Sequence, residues 1–248
     1  MSTADNKKNR KFAGVKYRIF HRCLGILCLK LADKLVAVSK YELDGLSRYV
    51  NKKSIKLIYN SINTDLFSYE LENKQKDLII TVSSLINTHY LRKGLDIFVK
   101  LSNELPNYKF VLIGKDCKDG TFHKIQKMAG DNFTITGSVS DSELKEWMCK
   151  ASMYCQFSRQ EGFGVALAEA MACGCIPIVS KYGAVPEVAG PDAYYIEKEI
   201  NYEKIKSTII KVSEININRE LFSKRINSLF NDSKREKLLL SIVEYTLW

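Results

Sequence analysis

No Cys-x-x-Cys pair occurs among the seven cysteines of this 248-residue chain, and no histidine cluster accompanies them. That pattern excludes the common zinc frameworks, and an odd count excludes a fully paired disulfide scaffold. Cys173 and Cys175, separated by one glycine, are too close for an ordinary bridge. The expectation is seven reduced, mostly buried thiols in a cytosolic protein, with no metal site. Long apolar runs are also missing. Cys23–Leu29 is closed by Lys30 and falls far short of the roughly 20 residues that span a bilayer. No small-residue cleavage site follows it, which excludes a signal peptide. Internal repeats and low-complexity tracts are absent as well, and 46% hydrophobic residues are enough for a substantial core.

An excess of positive charge is missing everywhere except at the beginning. Residues 1–60 carry 14 Lys/Arg against 4 Asp/Glu, whereas the remainder carries 24 of each. The net +10 therefore describes one local basic face and argues against a nucleic-acid-binding body. Residues 1–11 are polar. From Phe12 to Leu35, apolar residues recur at spacings of three and four, interspersed with Arg10, Lys11, Lys16, Arg18 and Arg22. A basic amphipathic helix of this kind either docks on anionic lipid or covers a sheet, and both readings stand.

Downstream, strand and helix patterns alternate. Leu35–Ser39 and Ile55–Tyr59 read as buried parallel strands around a helix at Lys40–Val50. The turn-rich Asn60–Phe67 and the polar Ser68–Asp77 form the best boundary. Strands follow at Leu78–Ser83, Lys109–Gly114, Phe133–Thr136, Met153–Phe157, Cys175–Val179 and Tyr194–Ile196. Helices are expected at Gly94–Leu105, Phe122–Ala129, after the capping-box sequence Ser140-Asp-Ser-Glu143, and at Val165–Cys173. Residues 201–248 read as two or three charged amphipathic helices, the last ending in Trp248. Alternation of this type predicts an α/β fold with a doubly wound parallel sheet, whose ligands bind beyond the carboxyl ends of the strands.

The most informative stretch is Ser158–Val188. Its loop, Arg159-Gln-Glu161-Gly162-Phe163-Gly164, runs into the apolar helix that opens at Val165. A glycine-rich loop feeding a helix N-terminus presents free N–H groups and the positive end of the helix dipole, an anion site suited to a diphosphate. Glu161 lies in the loop. Glu169 follows about one turn into an otherwise small, apolar helix, where a pair of ribose hydroxyls would satisfy it. Phe163 is either a ligand contact or a core anchor. Further upstream, Arg92 and Lys93 precede Gly94 at a helix start. Two adjacent cations there suit a diphosphate or form a solvated pair.

Glu-Gly-Phe-Gly, a second Glu eight residues on, Ala-Cys-Gly-x-x-Pro-x-Val and Gly-x-x-Pro-Glu together resemble the donor-sugar site of the retaining glycosyltransferases of family 4, which have the GT-B fold. The resemblance covers residues 32–200, with Ala32–Phe67 similar to the end of the acceptor-side domain. It implies a Rossmann-like donor domain at 65–230, a truncated N-terminal α/β portion at 1–64 and a C-terminal helix at 231–248. It implies sugar transfer from a nucleotide diphosphate with retention. Lys93 and Arg92 would hold the leaving diphosphate, Glu161 the donor sugar or its oxocarbenium-like charge, and Glu169 the ribose, with Gly162, Phe163, Gly164 and Val165 around them.

Gly137 and Val139 match the segment that holds the base, though an ordinary turn fits them too, and Gly183 matches the loop over the donor sugar. Ser84 stands where the family usually has Arg, which leaves the clamp one charge short unless Arg92 or Lys115 supplies it. No DxD pair lies near the site, so no metal and no cofactor beyond the nucleotide-sugar co-substrate is expected. The implied partners are a glycan or lipid-linked acceptor and a second copy or partner chain completing the acceptor half. The expected location is cytoplasmic, and on the lipid-docking reading residues 7–35 touch the inner face of a membrane. The other reading is a non-catalytic nucleotide-sugar-binding remnant or a subunit that needs a second chain.

Overall fold

The structure is a computed structural model that describes residues 23–70, 74–197 and 199–244. The expected helix from Phe12 lies outside those residues up to position 22, as does Trp248. The chain divides into two compact units, Met1–Ile58 and Tyr59–Trp248.

In the first unit, residues 23–31 are helical (α1). Strand β1 (Leu35–Ala37) pairs in parallel with β2 (Ile55–Leu57), the two joined by α2 (Lys40–Leu46). Ser39 caps α2 by accepting the Glu42 N–H at 3.0 Å. Both strands were expected to be buried, yet only Ala37 and Ile55 are; Val36 is exposed.

The second unit contains β3 (Gln75–Val82), α3 (Asn87–Arg92), α4 (Leu95–Glu104), β4 (Lys109–Ile113), α5 (Thr121–Met128), β5 (Phe133–Gly137), α6 (Asp141–Lys150) and β6 (Ala151–Gln156). These are followed by α7 (Val165–Ala172), β7 (Ile176–Ser180), α8 (Val185–Ala189), β8 (Tyr194–Ile196), α9 (Tyr202–Glu214), α10 (Glu220–Leu229) and α11 (Asp232–Glu244). The unit begins at Tyr59 rather than at 65 because the linker is tied into it: Ile62 N–H donates to Phe230 O at 2.9 Å, and Tyr59 stacks edge-on against Phe230.

Its six strands run in the order β5-β4-β3-β6-β7-β8, all parallel. Strand residues such as Ile79, Ile80, Leu112, Met153 and Ile178 are completely buried, as a sheet covered on both faces requires. Helices α5 and α9 pack on α4, while α6, α8 and α10 pack on α7. The strand order reverses between β3 and β6, and in sheets of this kind the ligand crevice opens at the carboxyl ends of the two strands flanking that switch. The capping box is formed as expected, with Ser140 Oγ accepting from the Glu143 N–H and the Glu143 carboxylate from the Ser140 N–H.

Two elements depart from expectation. Helix α3 occupies part of what read as a loop. Its N-cap residue is Ile86, which supplies no cap, and the missing acceptor comes from elsewhere: Asn87 N–H donates to Asp119 Oδ2 at 2.7 Å. Arg219, in the region read only as charged amphipathic helices, is partly buried. Its guanidinium donates to Ser152 O at 2.7 Å, Ser152 Oγ at 2.7 Å and Gly174 O at 3.2 Å, tying the start of α10 to the amino end of β6 and to the turn before β7.

Replacing Arg219 with Ala leaves these sheet-end acceptors without their donor. Urea unfolding is expected to show a loss of about 1–3 kcal/mol, with Arg219→Lys in between. An unchanged midpoint would mean that water replaces the guanidinium at no cost.

Candidate nucleotide-sugar site

The loops after β3 and β6 meet at the switch point. Gly94, at φ +72°, turns the chain into α4 directly against the end of β6: a Cβ here would lie 2.2 Å from Phe157 O. Only glycine permits that approach and that backbone. The Arg159 N–H then donates to Arg92 O at 2.7 Å. The Arg159 side chain forks onto both oxygens of Asp96 at 2.9 and 2.8 Å. Arg159 therefore fastens the loop to α4 and does not face a ligand.

This crossing delivers Lys93 to Glu161, Nζ to Oε2 at 2.5 Å. The same Oε2 accepts from Gln156 Nε2 at 3.2 Å and from Ser158 Oγ at 3.5 Å. Both members of the pair are largely buried, at 23% and 12% side-chain exposure, which makes the bond costly to break one partner at a time. The Glu161 backbone is clamped from its other side by the loop after β7. Ala184 N–H donates to Glu161 O at 2.9 Å, and a Cβ on Gly183, at φ +62°, would fall 2.2 Å from that oxygen. Arg225 holds the same loop by donating to Val188 O at 2.9 Å and Glu187 O at 2.8 Å. Tyr59 OH donates to the Glu187 carboxylate at 3.0 Å.

Phe163 is 3% exposed and packs against Tyr59 and Phe230, with ring centroids 6.3 and 5.2 Å away. Of the two readings of Phe163, this packing is that of an apolar anchor for the Glu161 loop. Gly164 opens α7 in a left-handed conformation. The first N–H groups of that helix have no acceptor within it. Val165 stands exposed at its start, and Gly162 is half-buried beside Glu161.

One turn further on, Glu169 is half-buried, and among the described residues no hydrogen bond reaches its carboxylate. Burial, aided by the negative charge of Asp141 at the start of α6, pushes its carboxyl up to about 7. Asp141 follows the segment holding Gly137 and Val139. Gly137 has open space where a side chain would be, and its carbonyl accepts from Gly114 N–H at 3.1 Å across the ends of β5 and β4. Ser84 is half-buried at the end of β3. The site thus has a charged half around Lys93 and Glu161 and a more open half around Glu169 and Gly137, joined by the α7 N-terminus.

One residue here carried no signal in the sequence. His89, on α3, lies close enough to Arg92, Lys93 and Glu161 for all three charges to act on it. Its Nδ1 is buried without a hydrogen-bond partner among the described residues. Its carbonyl accepts the Lys93 N–H at 2.7 Å. Lys115, by contrast, is exposed, and Arg92 forms no ion pair among the described residues.

The profile of the family described as "Glycosyl transferases group 1" matches residues 63–236. The phosphatidylinositol N-acetylglucosaminyltransferase gpi3 subunit of Schizosaccharomyces pombe is 28% identical over 145 residues, covering 56% of this chain and 31% of that protein. The chain spans 31, 40 and 50% of the lengths of three curated relatives it matches, half or less in each case. Among solved structures, sucrose-phosphate synthase from Thermosynechococcus elongatus superposes with a TM-score of 0.77 at 20% identity, covering 91% of this chain and 61% of that one. Anabaena HepE in complex with UDP and glucose gives a TM-score of 0.73 at 15% identity, covering 86% and 64%.

The raised Glu169 carboxyl has a signed consequence for the ligand-free protein. The folded state holds this proton up to about pH 7, whereas an unfolded Glu releases it near pH 4.3. Stability from this group is therefore greatest below pH 4.3 and is lost as pH rises through 7. Thermal unfolding of wild type and Glu169→Gln is expected to show the variant gaining on wild type between pH 5 and 8, by roughly 1–3 kcal/mol. Parallel curves would mean that Glu169 is better solvated than its burial indicates.

Proposed function

The chain belongs to the group 1 glycosyl transferases, and on that premise we propose that it transfers a sugar from a nucleotide-diphosphate donor to a glycan or lipid-linked acceptor, with retention and without a metal. The observation that carries this reading is the Lys93–Glu161 bond at the β3/β6 switch point, with Glu169 one helical turn into α7. Lys93, Arg92 and the N–H groups of α7 supply positive potential where a leaving diphosphate gathers negative charge. Donors fixed in advance lower the barrier because they do not reorganise during the reaction.

Glu161, immobilised by Lys93, Gln156 and Ser158, faces the donor sugar and stabilises positive charge at its anomeric carbon. Glu169 accepts the ribose hydroxyls, which provide the donors that its half-buried carboxylate lacks. Gly137, Val139 and Ser84 line the nucleoside and phosphate edges, and Gly183 keeps the loop after β7 against Glu161. The UDP and glucose of the Anabaena complex support a nucleotide sugar as the donor class.

A second reading is a nucleotide-sugar-binding subunit that transfers only with a partner chain or a second copy. The subunit name of the fission-yeast relative supports it. Peripheral membrane contact is part of the same proposal. The exposed Leu24, Leu27 and Leu31 of α1 supply apolar surface for it, and no helix among the described residues is long and apolar enough to cross a membrane.

Calorimetric titration with UDP, GDP and ADP in the absence of metal tests the donor site. One nucleotide is expected to bind at micromolar affinity, with Glu169→Ala and Lys93→Ala each weakening it at least tenfold, about 1.4 kcal/mol. At pH 6.5 the bound ribose hydroxyls favour the ionised Glu169, so wild type is expected to release a proton on binding that Glu169→Gln does not. Failure of all three nucleotides to bind would overturn the proposal.

A further inference from the structure

The anion site is poorer in available positive charge than its residues suggest. Lys93 is engaged with Glu161 at 2.5 Å, Arg159 is forked onto Asp96, and Ser84, at the end of β3, brings no charge. A diphosphate entering here meets one shared ammonium, Arg92 and helix N–H groups. His89 sits at this point: its Nδ1 is buried with no hydrogen-bond partner among the described residues, an unmade bond that costs free energy, while the Ser84 backbone favours the protonated ring. Its position is fixed from both ends. Its carbonyl holds the Lys93 N–H, and Asp119 caps α3 through Asn87.

Resting on the donor-site reading above, we propose that His89 is the additional cation of this site and contacts the diphosphate beside Lys93. In the free protein, burial and the neighbouring Arg92 and Lys93 disfavour the imidazolium, while the Ser84 backbone and Glu161 favour it, and the net direction is downward from the usual histidine value. His89 is therefore mainly neutral at pH 7 without ligand. A bound diphosphate adds two or more negative charges to the same pocket and reverses that balance. The proton is taken from solvent as the ligand binds, so affinity for a diphosphate rises as pH falls. This is opposite in sign to the contribution of Glu169, which binds ribose as the carboxylate and loses it on protonation. The terminal phosphate also titrates in this range. The informative quantity is accordingly the difference between wild type and a His89 variant at equal pH, because Glu169 and the phosphate contribute equally to both.

The experiment uses the full chain. Kd for the nucleoside diphosphate selected by the UDP, GDP and ADP panel, and for the corresponding nucleoside, is measured at pH 8.0, 7.0 and 6.0 for wild type, His89→Gln and His89→Arg. Between pH 8.0 and 6.0, wild type is expected to gain roughly tenfold over His89→Gln for the diphosphate, the factor that corresponds to one pKa unit of coupling, and nothing for the nucleoside. His89→Arg, a permanent cation, is expected to bind the diphosphate at pH 8.0 at least as tightly as wild type and to lose the pH-dependent gain. That rescue separates a charge contact from a structural role. Parallel profiles for wild type and His89→Gln, or a His89→Arg variant that binds as weakly as His89→Gln, would overturn the proposal. If neither wild type nor His89→Arg binds any diphosphate at any of the three pH values, the donor-site reading fails and this inference fails with it.

Discussion

The structure depends on a close approach of two backbones at the centre of the sheet. Gly94 turns against the carbonyl of Phe157 with no room for a methyl group, and that contact brings the loop after β3 onto the loop after β6. Everything charged in the site follows from it. Lys93 reaches Glu161, Arg159 reaches Asp96, and the N–H of Arg159 reaches the carbonyl of Arg92. A side chain at position 94 would part the loops and move each of these groups together, so the site is built on backbone geometry before it is built on charge.

Its two carboxylates experience different physics. Glu161 has three donors within reach of one oxygen and is fixed in position before any ligand arrives. Glu169 has none and carries a burial penalty that keeps it half-protonated near neutral pH. One is a preorganised electrostatic element and the other an unsatisfied acceptor awaiting hydroxyls. They differ because Glu161 lies in a loop where β3, β6 and β7 all deliver donors, whereas Glu169 lies on a helix flanked by Leu167, Ala168, Ala170 and Met171, all buried. Placing one in the loop before α7 and the other a turn into that helix separates the sugar end of a donor from its ribose end.

Much of this was legible in the chain itself, for identifiable reasons. The fold was readable because buried parallel strands write continuous apolar runs, glycine and proline punctuate the turns, and Ser140 and Glu143 cap a helix within four residues of one another. The Glu161 loop and α7 were readable because both the glycines and the carboxylates are local. What escaped were features whose partners are remote in sequence. Helix α3 is capped by Asp119 from another loop. Arg219 is buried by carbonyls from β6 and from the turn before β7. Arg159, which carried no assigned role in the chain, is defined by Asp96 from another helix. Phe163 could be resolved into an anchor only once Tyr59 and Phe230, from opposite ends of the unit, closed over it. His89 left no trace because its significance lies in what it lacks among the described residues, a partner for Nδ1.

The central claim is that the ends of β3, β5, β6 and β7 serve one ligand. Hydrogen–deuterium exchange of the full chain, with and without the nucleotide sugar whose nucleoside diphosphate binds, tests it most directly. The account predicts simultaneous protection of residues 83–94, 137–141, 157–169 and 183–187, with the amino ends of the strands unchanged. Protection confined to one of these segments, or protection at the amino ends of the strands, would contradict it.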